Sequence, residues 1–169
     1  MEKQGWQGRF YEDFELGDIY YHPLGRTITD TDNIWFTLLT QNTAPIHFDY
    51  NYAAQTEFKK PLVDLTFTLA LVTGQSVQDV SQNVFANLGW DEINLTAPVF
   101  VGDTIYSYSE VIQKREFKSR PNLGIVKVHT SGYNQDGKVV ITFVRTILVY
   151  KRGSAPKKPR PIVSEDQNT

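Results

Sequence analysis

The sequence contains no cysteine, which excludes disulfide bonds, thiolate catalysis and cysteine-ligated zinc. It also has no dense run of lysine and arginine within the body of the chain, and its formal net charge is -2. Because binding to phosphates needs a concentrated basic surface, we expect no nucleic-acid partner. No stretch approaches the roughly eighteen apolar residues of a membrane span, and the first residues include no apolar signal segment. These absences predict a cytoplasmic protein that does not bind a membrane.

What is present fits one globular domain. Of the 169 residues, 40% are hydrophobic and 21% are charged, so the chain is long enough and apolar enough to bury one core. We place this domain at residues 1–152. Residues 153–169 are rich in lysine and proline and carry no apolar pattern, so we expect a disordered tail. Neither a glycine-rich phosphate loop nor a metal-ligand cluster is visible, so no cofactor and no metal are expected.

Two long helices are predicted in the first half. In "TITDTDNIWFTLLTQ", Thr29 suits the N-cap position, and apolar residues recur after it at helical spacing. The second segment, residues 64–78, is apolar on almost every side, which is typical of a helix buried on all sides. Its threonines leave a buried strand as the alternative, although its length favours a helix.

The second half is predicted to form strands. "TIYSYSEVIQKREF" and "LGIVKVHTSGYN" alternate with period two, and the Asp-Gly pair in "QDGK" is a strong hairpin signal before the strand "VVITFVRTILVY". One buried helix followed by three or four long antiparallel strands predicts an α+β domain in which the sheet curls around the helix. The exposed edge of such a sheet invites pairing with a second copy, so we expect a homodimer.

Three stretches resemble the MaoC-like acyl-CoA hydratase family, which has the hotdog fold. "TQNTAPIHFDYNYAA" is similar to the hydratase motif S-G-D-x-N-P-[LIV]-H, "EFKKPLVDLTFTLALV" to the F-G-x-P-I-x-H-G-M lead into the central helix, and "APVFVGDTI" to the P-V-x-x-G-D-T-L strand lead. The likeness extends over residues 10–152. Strings such as "SRPNLGIVKV" look closest to the family's hydratases of branched dicarboxylic esters, the itaconyl-CoA and mesaconyl-CoA type.

The sequence departs from the family's motifs at three places. Asn42 stands where the family has its catalytic aspartate, Ala44 stands where the motif has asparagine, and residues 64–66 replace His-Gly-Met. His47 is retained, and so is Asp49, two positions later. The resemblance therefore implies that His47 is the catalytic acid and base, and that Asn42 positions water or substrate, since an amide cannot exchange a proton. Asp49 is the alternative source of the missing carboxylate.

Hydration of an α,β-unsaturated thioester needs a base for water, a donor for the enolate oxygen and a proton for the α carbon. Imidazole titrates near neutrality, so His47 suits the proton transfers. By position alone, a loop histidine that caps a turn is an equally good interpretation. His22 lies beside a proline and His129 lies on a strand, so we expect both at the surface.

The start of the buried helix supplies further candidates. Unpaired N–H groups at Leu65 or Thr66 are placed to hold the thioester oxygen, and the resemblance puts a backbone N–H there in the family. Asp64 is expected to cap this helix; the alternative is a carboxylate nucleophile or base of a hotdog thioesterase. Arg115 and Arg120 are candidates for clamping a substrate carboxylate or a coenzyme A phosphate, against the alternative of a solvated turn.

Together these features predict a homodimeric hydro-lyase that reversibly adds water to an enoyl-CoA thioester, with coenzyme A present only as part of the substrate. Two alternatives remain open. One is an acyl-CoA thioesterase that uses Asp64. The other is a non-catalytic acyl-CoA-binding protein, which is credible because the motif's carboxylate is missing.

Overall fold

The computed structural model describes residues 5–157. It contains three α-helices, α1 (Asp30–Thr40), α2 (Tyr50–Gln55) and α3 (Leu65–Gln75). Short 3₁₀ helices span Tyr11–Asp13 and Pro45–His47, and a π-helical turn, Val77–Ser81, follows α3. The disordered tail expected at residues 153–169 lies outside the described residues from position 158 onward, so it stays a prediction.

Six strands form an antiparallel sheet. They are β1 (Ile19–Tyr21), β2 (Arg26–Thr27), β3 (Val84–Leu95), β4 (Thr104–Glu116), β5 (Leu123–Tyr133) and β6 (Val139–Tyr150). Their order is β1-β4-β5-β6-β3, and β2 also pairs with β4. The expected hairpin joins β5 to β6, and the α+β prediction with four long strands is confirmed. Within the described chain no strand pairs with the outer edge of β3.

Helix α1 begins as its sequence predicts but buries its polar face. Thr29 is the N-cap: its hydroxyl accepts from the Asp32 N–H, and the Asp32 carboxylate accepts from the Thr29 N–H. Asn33 and Thr37 are buried, whereas Leu39 is 77% exposed. Both buried side chains donate to backbone carbonyls, so this face loses contact with water without leaving polar groups unpaired.

Helix α3 lies on the sheet instead of being enclosed by it. Thr68 and Val72 are buried, but Ala70 is exposed and Leu65 is 50% exposed. The prediction of burial on every side is therefore wrong for this chain alone, because the sheet reaches only one side of the helix. An apolar helix face left open in this way is typical of a surface that packs against something further.

The core consists of two main clusters of buried apolar side chains. One joins α3 to the sheet, and its buried members are Ile28, Val63, Val72, Val99, Ile105, Val140, Ile141 and Phe143. The other joins the N-terminal arm to the sheet, and its buried members are Tyr11, Phe14, Val80, Val111, Val126, Val128, Ile147 and Val149. The first cluster fixes α3 on the sheet and thereby fixes where the N-terminus of that helix lies.

The prediction that His22 lies at the surface is wrong, since this residue is only 5% exposed. Its Nδ1–H donates to the Asp79 carboxylate at 3.0 Å, and its Nε2 accepts from the Ser109 hydroxyl at 3.0 Å. Asp79 also accepts from Arg9 at 3.0 Å. These partners satisfy a neutral imidazole inside the fold. His129, by comparison, is half-buried on β5.

The buried state of His22 predicts a loss of stability in acid. Burial lowers the pKa of His22, although Asp79 raises it; Arg145 and Arg9 lower it further. The unfolded residue titrates near pH 6.5, so the unfolded chain binds the proton more readily than the folded chain. The stabilisation is therefore complete above that pH and is lost as the pH falls through the lower folded-state pKa.

We therefore expect the free energy of unfolding of the parent to fall more than that of His22→Asn when the pH is lowered from about 7.5 to about 5. Asparagine can still donate to Asp79 but does not titrate, and the other groups common to both proteins cancel in the difference. Chemical denaturation at several pH values measures this. Parallel stability curves for the two proteins would contradict it.

Candidate active site

His47 lies in a loop that is held at both ends by helix caps. Helix α1 ends at Gln41, which has the left-handed backbone conformation (φ 56°, ψ 29°). The chain then forms the 3₁₀ helix Pro45–His47 and enters α2, whose N-cap is Asp49. The Asp49 carboxylate accepts from the Tyr52 N–H at 3.0 Å and the residue is exposed, so the alternative carboxylate serves as a cap.

The hydrogen bond made by the His47 imidazole decides which ring nitrogen is free. Nδ1 lies 3.0 Å from the carbonyl oxygen of Leu62. A carbonyl can only accept, so Nδ1 carries the hydrogen in this contact and Nε2 of the neutral ring keeps its lone pair. Nε2 makes no hydrogen bond within the described residues. This is the tautomer that a general base acting through Nε2 requires.

His47 opens onto a largely apolar cavity of about 360 Å³, which we call the histidine pocket. Its lining residues are His47, Phe58, Leu62, Val63, Leu65, Thr68, Leu95, Thr96, Ala97, Pro98 and Val99. Most of these side chains are apolar, and His47 is the one lining residue with an imidazole side chain. A pocket of this character suits an acyl chain with one proton-transfer group beside it.

The structure separates the two candidate N–H groups at the start of α3. Asp64 caps the helix, as expected, and its Oδ1 accepts from the Thr66 N–H at 2.7 Å and the Phe67 N–H at 3.3 Å. The Thr66 N–H is therefore occupied, which corrects the expectation that it can hold a thioester oxygen. The Leu65 N–H has no acceptor within the described residues, and Leu65 lines the histidine pocket.

Asp64 is an ionised cap and not a free carboxylate. Burial by itself raises the pKa of Asp64, but hydrogen bonds from Thr66, Asn42 and the Phe67 N–H outweigh that effect and leave the pKa below its ordinary value. Both carboxylate oxygens are engaged, and the residue is 3% exposed. A nucleophile or base needs an accessible lone pair, so this geometry does not favour the thioesterase role.

Asn42 contacts Asp64 instead of lining the histidine pocket. Its Nδ2 donates to Asp64 Oδ2 at 2.6 Å, and its Oδ1 accepts from the Ala44 N–H at 3.0 Å. It lines a separate cavity of about 500 Å³ beside α1, together with Ile34, Thr37, Leu38, Gln41, Thr43 and Phe48. The structure therefore brings His47 and Leu65 into one pocket but not His47 and Asn42, so the role expected for Asn42, positioning water or substrate, is not supported by its placement.

Two of the departures from the family's motifs are thus in direct contact. Because Asp64 is an ionised cap, a carboxylate at position 42 would face it at hydrogen-bond distance, whereas an amide donates to it. We expect Asn42→Asp to lower the free energy of unfolding at neutral pH by about 2 kcal/mol, the scale of a lost hydrogen bond to a charged group. Chemical denaturation measures this.

The matched control for Asn42→Asp is the swapped double variant Asn42→Asp/Asp64→Asn. It restores one donor and one carboxylate across the same contact, so we expect it to recover part of the stability lost by the single variant. A parent-like Asn42→Asp protein, or additive effects of the two substitutions, would contradict the pairing.

Asn33 is a site residue that the sequence pattern missed. It lies in α1 and is 1% exposed, and its side chain bonds to backbone groups of the His47 loop, of Leu62 and of Asp64. Its neighbours Ile34 and Trp35 form part of the apolar pattern from which the helix was predicted. A single asparagine beside such a pattern does not by itself indicate a site residue. Its importance follows from the structure, in which the side chain points into the protein.

The two candidate arginines lie at the other end of the sheet from the histidine pocket. Arg115 pairs with Ile125 across β4 and β5. Leu95 lines the pocket and pairs with Ile141 of β6. Ile141 in turn pairs with Gly132 of β5, so the pocket lies at the Gly132 end of that strand. Residues 125 and 132 are about 23 Å apart along a strand. Within one chain, Arg115 therefore does not reach the pocket.

Arg120 lies close to the same distal end. Its guanidinium stacks over the ring of Phe85 on β3, with 5.0 Å between the guanidinium carbon and the ring centroid. Phe85 is 44% exposed, so this pair lies at the surface beside the unpaired edge of β3. Arg120 is therefore ordered by a contact of its own, away from His47 of the same chain.

Within residues 5–157, no group of three or more histidine, aspartate or glutamate side chains is arranged to hold a metal ion. The helices in this part of the chain are also too short, or not apolar enough, to cross a bilayer.

Comparison with known proteins gives consistent similarities. The family model described as the MaoC-like domain matches residues 13–133. Mesaconyl-CoA hydratase of Cereibacter sphaeroides is 35% identical over 158 residues, which are 94% of this chain and 46% of that protein. A solved MaoC-domain dehydratase from Chloroflexus aurantiacus superimposes with a TM-score of 0.85 at 32% identity, over 97% of this chain and 46% of the other.

A third similarity concerns the fold. A Mycobacterium tuberculosis protein described as having a double hotdog fold matches with a TM-score of 0.80 at 22% identity, over 91% of this chain and 47% of that one. The chain thus spans about half the length of each of these relatives, and it corresponds to one hotdog unit.

Proposed function

Because this chain belongs to the family of MaoC-like domains, we propose that it catalyses the reversible addition of water to an enoyl-CoA thioester. One observation carries the proposal. His47, with Nε2 free, lines the same apolar pocket as Leu65, whose N–H lacks a partner within the described residues. A base and an oxyanion donor in one apolar pocket are the two groups that this addition requires.

The proposed reaction follows from this arrangement. His47 Nε2 removes a proton from water as the water oxygen bonds to the β carbon, and the electron pair of the double bond moves toward the thioester oxygen. The Leu65 N–H and the positive end of the α3 dipole stabilise the resulting enolate. The imidazolium then returns its proton to the α carbon on the same face, which restores the neutral base. One imidazole is sufficient, so the reaction does not need a carboxylate at position 42.

The thioesterase alternative loses support from the structure of the cap. Asp64 is held by Asn42 through one oxygen and by the first turn of α3 through the other. To attack a thioester or activate water, it would have to give up contacts that hold the start of α3 in place. The non-catalytic alternative predicts no turnover at all, and an assay distinguishes it.

We further propose that the acyl group is branched and dicarboxylic. The support is the similarity to mesaconyl-CoA hydratase, together with an arginine that a paired subunit is proposed to supply. No lysine or arginine lines the histidine pocket of the single chain. A second carboxylate on the substrate therefore needs its cation from outside that pocket.

The proposed source of that cation is a second copy paired along β3. The outer edge of β3 is unpaired in the described chain, and its exposed apolar side chains are Phe85, Leu88, Trp90, Ile93 and Leu95. An antiparallel pairing of two β3 strands brings the Phe85 end of one chain to the Leu95 end of the other. The partner subunit's Arg120 then approaches the histidine pocket. Sedimentation equilibrium at micromolar concentration tests this assembly, and a monomer would contradict it.

The activity itself is tested with a panel of enoyl-CoA and saturated acyl-CoA esters, including mesaconyl-CoA and a straight-chain monocarboxylic ester. We expect loss of the conjugated-thioester absorbance with the unsaturated esters and no free thiol. Release of thiol would identify a thioesterase. Binding of the esters without either change would identify a non-catalytic protein, and each of these two results would overturn the proposal.

A further inference from the structure

The side chain of Asn33 links the parts of the candidate site that are far apart in sequence. It projects from α1 and is 1% exposed. Its Nδ2 donates to the His47 carbonyl at 2.8 Å and to the Leu62 carbonyl at 3.0 Å, while its Oδ1 accepts from the Asp64 N–H at 2.9 Å. All three contacts are to backbone groups, so they fix the course of the chain and not merely a side-chain rotamer.

Each partner of Asn33 belongs to a different functional segment. The His47 carbonyl belongs to the loop that carries the proposed base. The Leu62 carbonyl is the same oxygen that accepts the Nδ1–H of His47 at 3.0 Å. The Asp64 N–H belongs to the cap immediately before Leu65, whose N–H is the proposed oxyanion donor. The Asn33 amide therefore fixes the relative positions of three groups: the proposed base, the carbonyl that orients it, and the start of α3.

We propose that Asn33 is a positioning residue that holds His47 in the tautomer with Nε2 free and at a fixed distance from the Leu65 N–H. The inference rests on the proposed function for its catalytic consequence, but not for its effect on the imidazole. A carbonyl oxygen has two lone pairs, and the Leu62 oxygen uses one for Asn33 and one for His47. Removing Asn33 leaves this carbonyl free to rotate away from the His47 Nδ1–H.

The asparagine side chain is suited to this position by its chemistry. It offers two N–H donors and an acceptor from one planar group, and all are used here. Aspartate has no donor when ionised, and leucine has neither donor nor acceptor, so both would leave buried carbonyls unpaired. A purely structural asparagine would make the same contacts, which means that stability alone does not distinguish the two roles.

Thr37 provides the matched control. It lies one helical turn after Asn33 on the same buried face, and it is 2% exposed. Its hydroxyl donates at 2.7 Å to the Ile34 carbonyl within α1 itself, and its only bond to the His47 loop runs through its backbone carbonyl, which accepts from the Asn42 N–H at 2.9 Å and is kept in an alanine variant. Thr37→Ala therefore removes a buried hydrogen bond from the same helix without touching the proposed positioning contacts.

The test compares the full-length parent with Asn33→Ala and Thr37→Ala, each well below its unfolding temperature. The protein is labelled with ¹⁵N-histidine, and the imidazole signals of His47 are assigned by their loss in His47→Asn. We expect Asn33→Ala to replace the single Nδ1–H tautomer of His47 by a mixture, and to lower kcat at least about tenfold with a smaller change in KM. Thr37→Ala is expected to keep the parent's imidazole spectrum and its kcat within about threefold.

The outcomes are distinct. A folded Asn33→Ala protein with the parent's imidazole spectrum would overturn the proposal, whatever its kcat. A changed spectrum in Thr37→Ala would also overturn it, because the effect would then come from disturbing α1 in general. If the parent has no hydratase activity, the proposed function fails while the spectrum still tests the role of Asn33. If Asn33→Ala does not fold, Asn33→Ser, whose hydroxyl supplies one donor in place of the two amide N–H groups, is compared in the same way.

Discussion

Replacing His47 by alanine is expected to lower kcat for enoyl-CoA hydration at least about a hundredfold, the lower end of what a general acid and base contributes. The reason is that the other side chains lining the histidine pocket are apolar or threonine, and none of them is an acid–base group of the imidazole kind. The fold should persist, because His47 lies in a loop and belongs to neither of the main core clusters. Steady-state kinetics on the best substrate of the panel, with circular dichroism on the same samples, measure both effects.

A second substitution removes the proton-accepting group of His47 but keeps its hydrogen bond to the Leu62 carbonyl. His47→Asn keeps an N–H close to the position of Nδ1, which can still donate to the Leu62 carbonyl, but it has no group that takes a proton. We expect it to be as inactive as His47→Ala and more stable. His129→Asn is the matched control, since His129 lies on β5 away from the pocket lining, and it should keep the parent's rate. Turnover of His47→Asn within a few fold of the parent would place the chemistry elsewhere.

Leu65→Pro is expected to lower kcat by about a hundredfold to a thousandfold, the usual result of removing one oxyanion-hole donor. Proline deletes the backbone N–H of Leu65 while fitting the first position of a helix, where that N–H has no partner inside the helix. Asp64 lies outside the α region that a following proline disfavours, since its ψ is 129° with φ -56°. The helix should therefore form normally.

Leu65→Ala is the control for this prediction, because it removes the same side chain but keeps the N–H. We expect Leu65→Ala to change mainly KM, since the leucine side chain lines the pocket, and Leu65→Pro to change mainly kcat. Thermal unfolding of both proteins checks that the helix is intact. Equal losses of kcat in the two variants would show that the side chain, and not the N–H, is what matters.

The features that the sequence determined are those whose causes lie within a few residues of each other. The Thr29 cap depends on Asp32, three residues away, and burial along the first part of β4 alternates with every second residue. Hydrogen bonds within one helical turn and the side-chain alternation of a strand depend on neighbouring residues, so they can be predicted from a short stretch of sequence. The site loop around His47 was found for a related reason, since its motif is contiguous in the chain.

Hydrophobic periodicity alone did not decide which faces are buried. The apolar residues that predicted α1 include Trp35 and Leu39, which are 64% and 77% exposed, while Asn33 on the other face is buried. The apolar pattern of α3 predicted burial on all sides, yet the sheet covers one side of it. Periodicity identifies a helix, but the surface against which it packs is supplied by distant segments.

The arrangement of the candidate site was decided only by contacts between residues far apart in sequence. Asn42 reaches Asp64 across 22 positions, Asn33 reaches Asp64 across 31, and His22 reaches Asp79 across 57. Because of these contacts, Asn42, which was expected to position water or substrate, is a partner of the helix cap, and His22, which was expected at the surface, is buried. They left Leu65, and not Thr66, with the free N–H. Such outcomes depend on which polar groups meet when the core closes, because a buried donor or acceptor must find a partner wherever the fold places one.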